Sequence, residues 1–450
     1  MLQSNSVMTV ATQSEDVEKV IVLETFEDTI EQPEKSKTEP EAILPPPPTF
    51  PEGGVRGWLT IAGAFLVQYC TFGYTNAFGV YEDFYVRSYL TKYTTSDIGW
   101  IGGVQIFLVF SSGIFAGRLV DRGYFHHLML AGAFMHSLAI FMLSLSHPNQ
   151  YYQVFLTQGI LQGLSAGICY TPTLAIVSHY FQKKRPLAMG VVTAGSALGA
   201  VLHPIMLNKL FHDSLGFHNG VRVSAGLNTI LLIIANLIMR TRLPPKKEGR
   251  AIPIAEFLRD PPYIFAVFSG MAMFFGLFFP VFYLQLDAVS RGVGGNLAFY
   301  SLSILNAGSI LGRTIPSYFA PRLGVFNLLS FAIGGTGVII LCMMAVKDTV
   351  GVIVFALFYG FFSGAAVALT GPMLGILSRN VNEVGARLGI DFFFSGIIGL
   401  FATPILGALL TTEYHWSRAI IFAGVTMLFS SACMVVSRFY IARRKERQII

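Results

Sequence analysis

The chain has 450 residues, of which 53% are hydrophobic and only 12% charged, with a formal net charge of +6. A soluble domain carries about twice that charged fraction, so a soluble globular protein is excluded, and a basic balance in so apolar a chain reflects membrane topology rather than nucleic-acid binding. Cys70, Cys169, Cys342 and Cys433 all lie in apolar stretches, with neither metal-ligand nor disulfide-framework spacing, and read as small buried side chains.

Residues 1–54 hold eleven acidic residues and three lysines, and the run Pro45-Pro46-Pro47-Pro48 lies near their end. This composition predicts a disordered, acidic and proline-rich cytoplasmic tail, either a plain solvated segment or a place for accessory or regulatory proteins. No basic-then-apolar leader opens the chain, so the first membrane helix is expected to act as the insertion signal.

Twelve apolar stretches follow. A hydrocarbon core of about 30 Å needs roughly 20 apolar residues in a helix, and backbone in lipid must bond internally, so each stretch is expected to be helical. The expected spans are 58–81, 98–119, 126–146, 152–180, 186–209 and 221–240, then 261–286, 297–319, 325–346, 350–378, 385–410 and 416–440. Thr241–Asp260 is polar and contains Pro244-Pro245-Lys246-Lys247. The expected organisation is an N-terminal six-helix bundle over 55–240, a cytoplasmic linker over 241–260, a C-terminal six-helix bundle over 261–440 and a basic cytoplasmic tail over 441–450.

Twenty Lys and Arg residues fall at the loops and helix ends of one side, and seven (Arg87, Lys92, Lys209, Arg222, Arg291, Lys347 and Arg418) on the other. The positive-inside rule puts the first side, with both termini and the linker, in the cytoplasm; an even number of spans requires the same. The halves are related at an offset of 200 residues: Arg122 aligns with Arg322, Pro172 with Pro372, Gly199 with Gly399 and Pro204-Ile205 with Pro404-Ile405. Parallel repeats of this kind are a transporter architecture. The spacings Gly113/Gly117, Gly195/Gly199 and Gly308/Gly312 allow close helix approach, and Pro172, Pro204, Pro372 and Pro404 can loosen helices beside a cavity.

The segment Gly117-Arg118-Leu119-Val120-Asp121-Arg122-Gly123 joins the second and third spans and resembles the signature loop of the major facilitator superfamily. The fold implied is all-α: twelve transmembrane helices in two pseudo-symmetric six-helix bundles. A carboxylate and guanidiniums at helix ends can hold the halves together on one face, which makes Asp121, Arg118 and Arg122 gate candidates. The repeat copy, Ala320-Pro321-Arg322-Leu323-Gly324, has Pro321 where Asp121 would pair, so Asp121 is expected to be the gate's main acid.

A narrower resemblance, to fungal monocarboxylate porters, lies in Glu52-Gly53-Gly54-Val55-Arg56-Gly57-Trp58, in Tyr180 to Gly199, in Asn306 to Arg313 and in Gly385-Ala386-Arg387-Leu388-Gly389-Ile390. In that family an arginine at the place of Arg313 binds the substrate carboxylate, a task that suits a bidentate guanidinium. Asn76 and Asn306 would orient the solute. The superfamily's lining helices imply Tyr69, Tyr170, Phe279, Tyr283 and Phe362 around it. Two residues depart from the family's proton-coupling set: Ser309 stands in the place of an acid and Asn76 in that of a lysine. Asp391 and His203 are the alternative proton carriers. Asp391 lies four residues after Arg387, so an ion pair within the helix is its competing role.

Four readings remain open: alternating-access transport of a small organic solute, first a monocarboxylate, with or without a proton; facilitated uptake of a neutral or vitamin-like metabolite such as riboflavin; a non-transporting nutrient sensor; and an intramembrane enzyme, for which no catalytic motif is found. No cofactor or metal is expected, and the plasma membrane is the residence the family implies.

Overall fold

The computed structural model describes residues 52–212, 215–242, 254–379, 383–410 and 416–445. The expected tail up to residue 51, linker residues 243–253 and residues 446–450 lie outside them. Among the described residues the backbone makes twelve helical passages and no strand. Ten are long and apolar enough to cross a membrane. The other two are the first, which is broken, and the eighth, Gly295–Leu323, whose run carries Ser301, Ser303, Asn306, Ser309, Arg313, Thr314 and Ser317.

The first passage consists of Gly54–Cys70, Phe72–Thr75, Phe78–Phe84 and a π-helical turn at Tyr85–Tyr89. The sequence pattern predicts one continuous helix here, and the difference has local causes. Gly73 presses on the fifth passage, Arg185–His212, so closely that a β-carbon would stand 2.8 Å from the Cα of Gly199. Asn76 Nδ2 also donates to the Phe72 carbonyl at 2.7 Å and competes for a helical acceptor. The second passage starts at a capping box, with Asp97 N donating to Thr94 Oγ1 at 3.2 Å and Thr94 N to Asp97 Oδ2 at 3.0 Å. It bends at Ser112, whose hydroxyl donates to the Leu108 carbonyl at 2.6 Å, and runs on as Gly113–Asp121. The third is Phe125–Leu143, and the fourth runs from Tyr151 through Gly163–Ala175 to His179. The sixth is Gly216–Ile238 and the seventh Pro261–Ser290. The ninth is Val325–Cys342, the tenth Thr349–Leu377, the eleventh Val384–Leu410 and the twelfth Trp416–Lys445.

The expected glycine pairs sit on close seams. A β-carbon at Gly195 would lie 2.2 Å from the Phe65 carbonyl oxygen on the first passage, and one at Gly312 would overlap the Phe361 carbonyl on the tenth. The repeat is visible in partners as well as positions. Gly199 packs the fifth passage on the first, and Gly399 packs the eleventh against Phe274 of the seventh. The fifth with the eighth, and the second with the eleventh, join the two bundles. Of the cysteines, Cys70, Cys169 and Cys433 are buried as expected; Cys342, at the end of the ninth helix, is exposed.

Glu52 fastens the chain's entry to the bundle. Its backbone takes a left-handed φ of 47°. Its Oε1 accepts the N–H groups of Gln182 (2.9 Å) and Lys183 (2.6 Å), and Oε2 that of Lys184 (3.0 Å). These donors lead into the fifth helix, so the carboxylate works as a cap supplied from another segment. Partial burial pushes its pKa up, but the three N–H bonds outweigh that and hold it below the ordinary 4.5. Glu52→Ala is therefore expected to lose about 0.5–2 kcal/mol of stability, read as a lower Tm of the protein in detergent. The group's contribution is whole above the ordinary carboxyl pKa and is lost as pH falls through the lower folded value. The Tm difference should thus be flat near neutrality and vanish in acid.

Candidate functional site

Where the two bundles meet, a cavity of about 70 Å³ is lined from both. Five of its aromatic rings come from five different passages. Phe72, Phe110 and Tyr170 meet edge-to-face at 5.3–5.4 Å between centroids. Phe274 stands 4.8 Å from Phe110, and Phe392 5.4 Å from Tyr170. Such edge-to-face packing presents ring edges and faces to whatever enters. Tyr359 of the tenth helix closes the wall and donates its hydroxyl to the Leu277 carbonyl of the seventh.

The polar half centres on Arg313, which is 7% exposed and lines the cavity. Its Nε donates to Ser309 Oγ at 3.1 Å, and its Nη1 to the Thr193 carbonyl and Ser196 Oγ, both at 2.6 Å. Among the described residues Nη2 makes no hydrogen bond, so one arm of the fork is left for a ligand. Asn76 and Asn306 reach the same space, though each Nδ2 is bonded within its own helix. Asp391 also lines it and is 1% exposed. The expected Arg387–Asp391 pair is absent. Arg387 turns the other way, 3.6 Å from both Asp260 and Glu383, with its guanidinium over the rings of Phe257 and Tyr263. Two carboxylates and two ring faces at that end outweigh the single carboxylate of Asp391 one turn away.

From the cavity towards the end that carries Asp121, the bundles are in backbone contact. A β-carbon at Gly190 would lie 2.3 Å from the Arg313 carbonyl oxygen, one at Gly389 2.4 Å from that of Gly113, and one at Gly117 2.1 Å from that of Gly385. At the outer edge of this seam Asp121 Oδ2 accepts the Ala386 N–H at 3.0 Å. Ala386 stands in the first turn of the eleventh helix, where unpaired N–H groups and the positive end of the helix dipole favour a carboxylate. The acid expected at the gate is thus held by a helix terminus. Among the described residues Asp121 forms no ion pair with Arg118 or Arg122, contrary to the charge-pair expectation.

A profile of the Major Facilitator Superfamily matches residues 58–402. The chain belongs to that superfamily. Curated relatives include the aspyridones efflux protein apdF of Emericella nidulans, 38% identical over 88% of this chain and 81% of its own length. MFS-type transporter 1 of an Ophiocordyceps species is 35% identical over 91% of both chains. The agnestins efflux protein AgnL12 of Paecilomyces divaricatus is 37% identical over 86% of this chain and 88% of its own. Among solved structures, the human organic anion transporter MFSD10 (TETRAN) superposes with a TM-score of 0.64 at 13% identity, covering 86% of this chain and 99% of that one; the likeness is one of fold. This protein is a multi-pass membrane transporter of small molecules.

In this facilitator the expected binding residues divide in two. Arg313, Asn76, Asn306, Tyr170 and Asp391 share the cavity. Tyr69, Phe279, Tyr283, Phe362 and His203 are absent from its lining. Tyr69 packs on His203 at 4.5 Å inside the N-terminal bundle, and His203 Nε2 meets the Tyr69 carbonyl at 3.2 Å. Phe279 is fully buried against Tyr283 at 5.4 Å. Phe362 packs beside Phe331 and over Gly335 of the ninth helix. Phe72, Phe110, Phe274, Phe392 and Ser395 are lining residues that the sequence reasoning missed. Helical stepping from the polar anchors finds two of them: Phe72 is four residues before Asn76, and Ser395 four after Asp391.

Proposed function

We propose that this facilitator moves an aromatic organic acid across the membrane by alternating access and works in the direction of export. The observation that carries the reading is Arg313, a guanidinium with a spare arm in a cavity on the seam between bundles, one half of which is walled by aromatic rings. The relatives named for efflux of aspyridones and of agnestins support the direction. The monocarboxylate-porter resemblance supports the acidic group. On the positive-inside reading the Asp121 face is cytoplasmic, both termini lie there, and the residence is the plasma membrane. The form described is then sealed on the cytoplasmic side. At about 70 Å³ the cavity has room for about five waters at roughly 10–15 Å³ each, whereas ligand pockets run to about 300–1,000 Å³. Loading therefore requires the 55–240 and 261–440 bundles to part.

The test is uptake of radiolabelled benzoate and larger aromatic carboxylates into inside-out vesicles. Wild type is expected to accumulate at least one of them, and Arg313→Ala none. Equal accumulation by both proteins removes Arg313 from the site. A second reading, passage of a neutral ring system such as riboflavin, is favoured by Asn76 and Ser309, which carry no charge for a proton to exchange with. Of the two candidate proton carriers, Asp391 faces the cavity. Flux that follows an imposed pH gradient supports coupled acid transport, and flux indifferent to it supports the neutral solute.

A further inference from the structure

One acid and one hydroxyl in the cavity wall have nothing to bond. Asp391 is 1% exposed and Ser395 fully buried, yet Asp391 Oδ1 and Ser395 Oγ lack any hydrogen-bond partner among the described residues. They stand one turn apart on the eleventh helix and so share a face. Gly270 of the seventh helix lies opposite both. A β-carbon there would sit 2.9 Å from Asp391 Oδ1 and 3.0 Å from Ser395 Oγ, so only a glycine lets the seventh helix pack this closely on the two oxygens. Gly270, Asp391 and Ser395 all line the cavity, beside Phe274 and Phe392.

Neighbouring donors are directed elsewhere. Tyr263 gives its hydroxyl to the Arg387 carbonyl at 2.8 Å. Arg387 faces Asp260 and Glu383. Arg313 spends its Nε and Nη1 on Ser309, Thr193 and Ser196 and is not within ion-pair distance of Asp391. A buried acceptor without a donor is costly, and ionisable groups inside a bilayer almost always pair or mark the path of a solute. Ser395 has one O–H of its own to give, but the hydroxyl and the carboxyl together hold more acceptor sites than that proton can fill, in a wall that a ligand would touch.

We propose that Asp391 and Ser395, side by side in the cavity wall next to Gly270, form a subsite that accepts a hydrogen-bond donor of the transported molecule, a phenolic O–H or an N–H. The cavity is then bipolar. Arg313 on the eighth helix takes the acidic group, the acceptor pair on the eleventh takes the donor, and the five aromatic rings hold the plane between them. The role given to Arg313 rests on the function proposed above; the donor subsite is an addition to it. The substrate class narrows to aromatic acids that also carry a hydroxyl or N–H.

The test is equilibrium binding to the purified full chain in nanodiscs. The probes are benzoate, meta- and para-hydroxybenzoate, and the matching methoxybenzoates. At least one hydroxybenzoate is expected to bind about ten- to a hundredfold tighter than both its methoxy counterpart and benzoate, the range for a hydrogen bond to a charged group. Asp391→Ala and Gly270→Ala are each expected to erase that preference, so that hydroxy and methoxy probes bind alike, and a monodisperse elution profile like that of wild type reports an intact fold. Ser395→Ala should weaken the preference. Hydroxy and methoxy probes that bind alike in wild type overturn the proposal, as does a preference that survives all three substitutions. If Arg313→Ala leaves benzoate binding unchanged while the hydroxyl preference persists, the acid-binding role of Arg313 falls and the donor subsite stands. Binding of none of the probes sinks both.

Discussion

Replacing Arg313 with alanine is expected to abolish transport of organic anions and to weaken their binding by roughly 30- to 4,000-fold, the equivalent of about 2–5 kcal/mol for truncating a buried, hydrogen-bonded charge. The guanidinium is the sole cation in the cavity lining, and the aromatic wall offers an anion no comparable partner. Lysine should recover only part of the loss, because it supplies a point charge without a planar fork. Arg313 also has a second task. Through Thr193 and Ser196 it ties the eighth helix to the fifth, one bundle to the other. A flux defect alone would confuse the two tasks. Ser196→Ala separates them, since it removes one anchor of the tie and leaves the free Nη2 arm in place. Its anion affinity should stay within a few-fold of wild type, measured by the same binding assay, while turnover changes. If Ser196→Ala weakens binding as much as Arg313→Ala does, the arginine acts through the tie and not on the ligand.

The sequence made the architecture legible because lipid leaves the backbone few options: apolar runs of membrane length must be helices, and the basic loops order them. The anchors Arg313, Asn76, Asn306 and Asp391 were legible for a related reason, since polar groups in such runs are expensive and point inward. The aromatic wall was not. The seventh helix is apolar on every face, so its pattern carries no phase; the lining stripe through Gly270, Phe274, Leu277 and Val281 is offset by one position from the fully buried Phe279. Breaks in the first helix were partly hidden, because one of their two causes is contact with Gly199, more than a hundred residues away in the chain. Asp121 was found by its motif, but its partner was misjudged: a charge pair is visible in a sequence, whereas the end of another helix is not. The role of Glu52, which caps a helix 130 residues downstream, was concealed for the same reason.

Gly117→Val should be the most damaging glycine substitution on the seam between the two bundles. A β-carbon at Gly117 would come within 2.1 Å of the Gly385 oxygen and 2.7 Å of its carbonyl carbon. These are backbone atoms, which cannot rotate out of the way as a side chain could. The second and eleventh helices must separate, and the seam on the Asp121 face must open. Overpacking of this kind typically costs about 1–3 kcal/mol, and at about 1.4 kcal/mol per tenfold the sealed form would lose roughly 5- to 150-fold in population. The measurement is thiol labelling from the Asp121 side of a cysteine placed at Thr370, a cavity-lining position, in a background without the four native cysteines. Labelling is expected to accelerate and net flux to fall, because a transporter held open on one face cannot complete its cycle. Asp121→Asn should act in the same direction but less, since it keeps an acceptor for the Ala386 N–H and loses only the charge at the helix terminus, worth about 0.3–1 kcal/mol. Arg118→Gln and Arg122→Gln should change labelling little, because neither guanidinium pairs with Asp121 among the described residues. A Gly117→Val protein with wild-type labelling and wild-type flux would show that this seam is not the gate, and the barrier would then have to lie between the fifth and eighth helices, where Gly190, Thr193 and Ser196 meet Arg313.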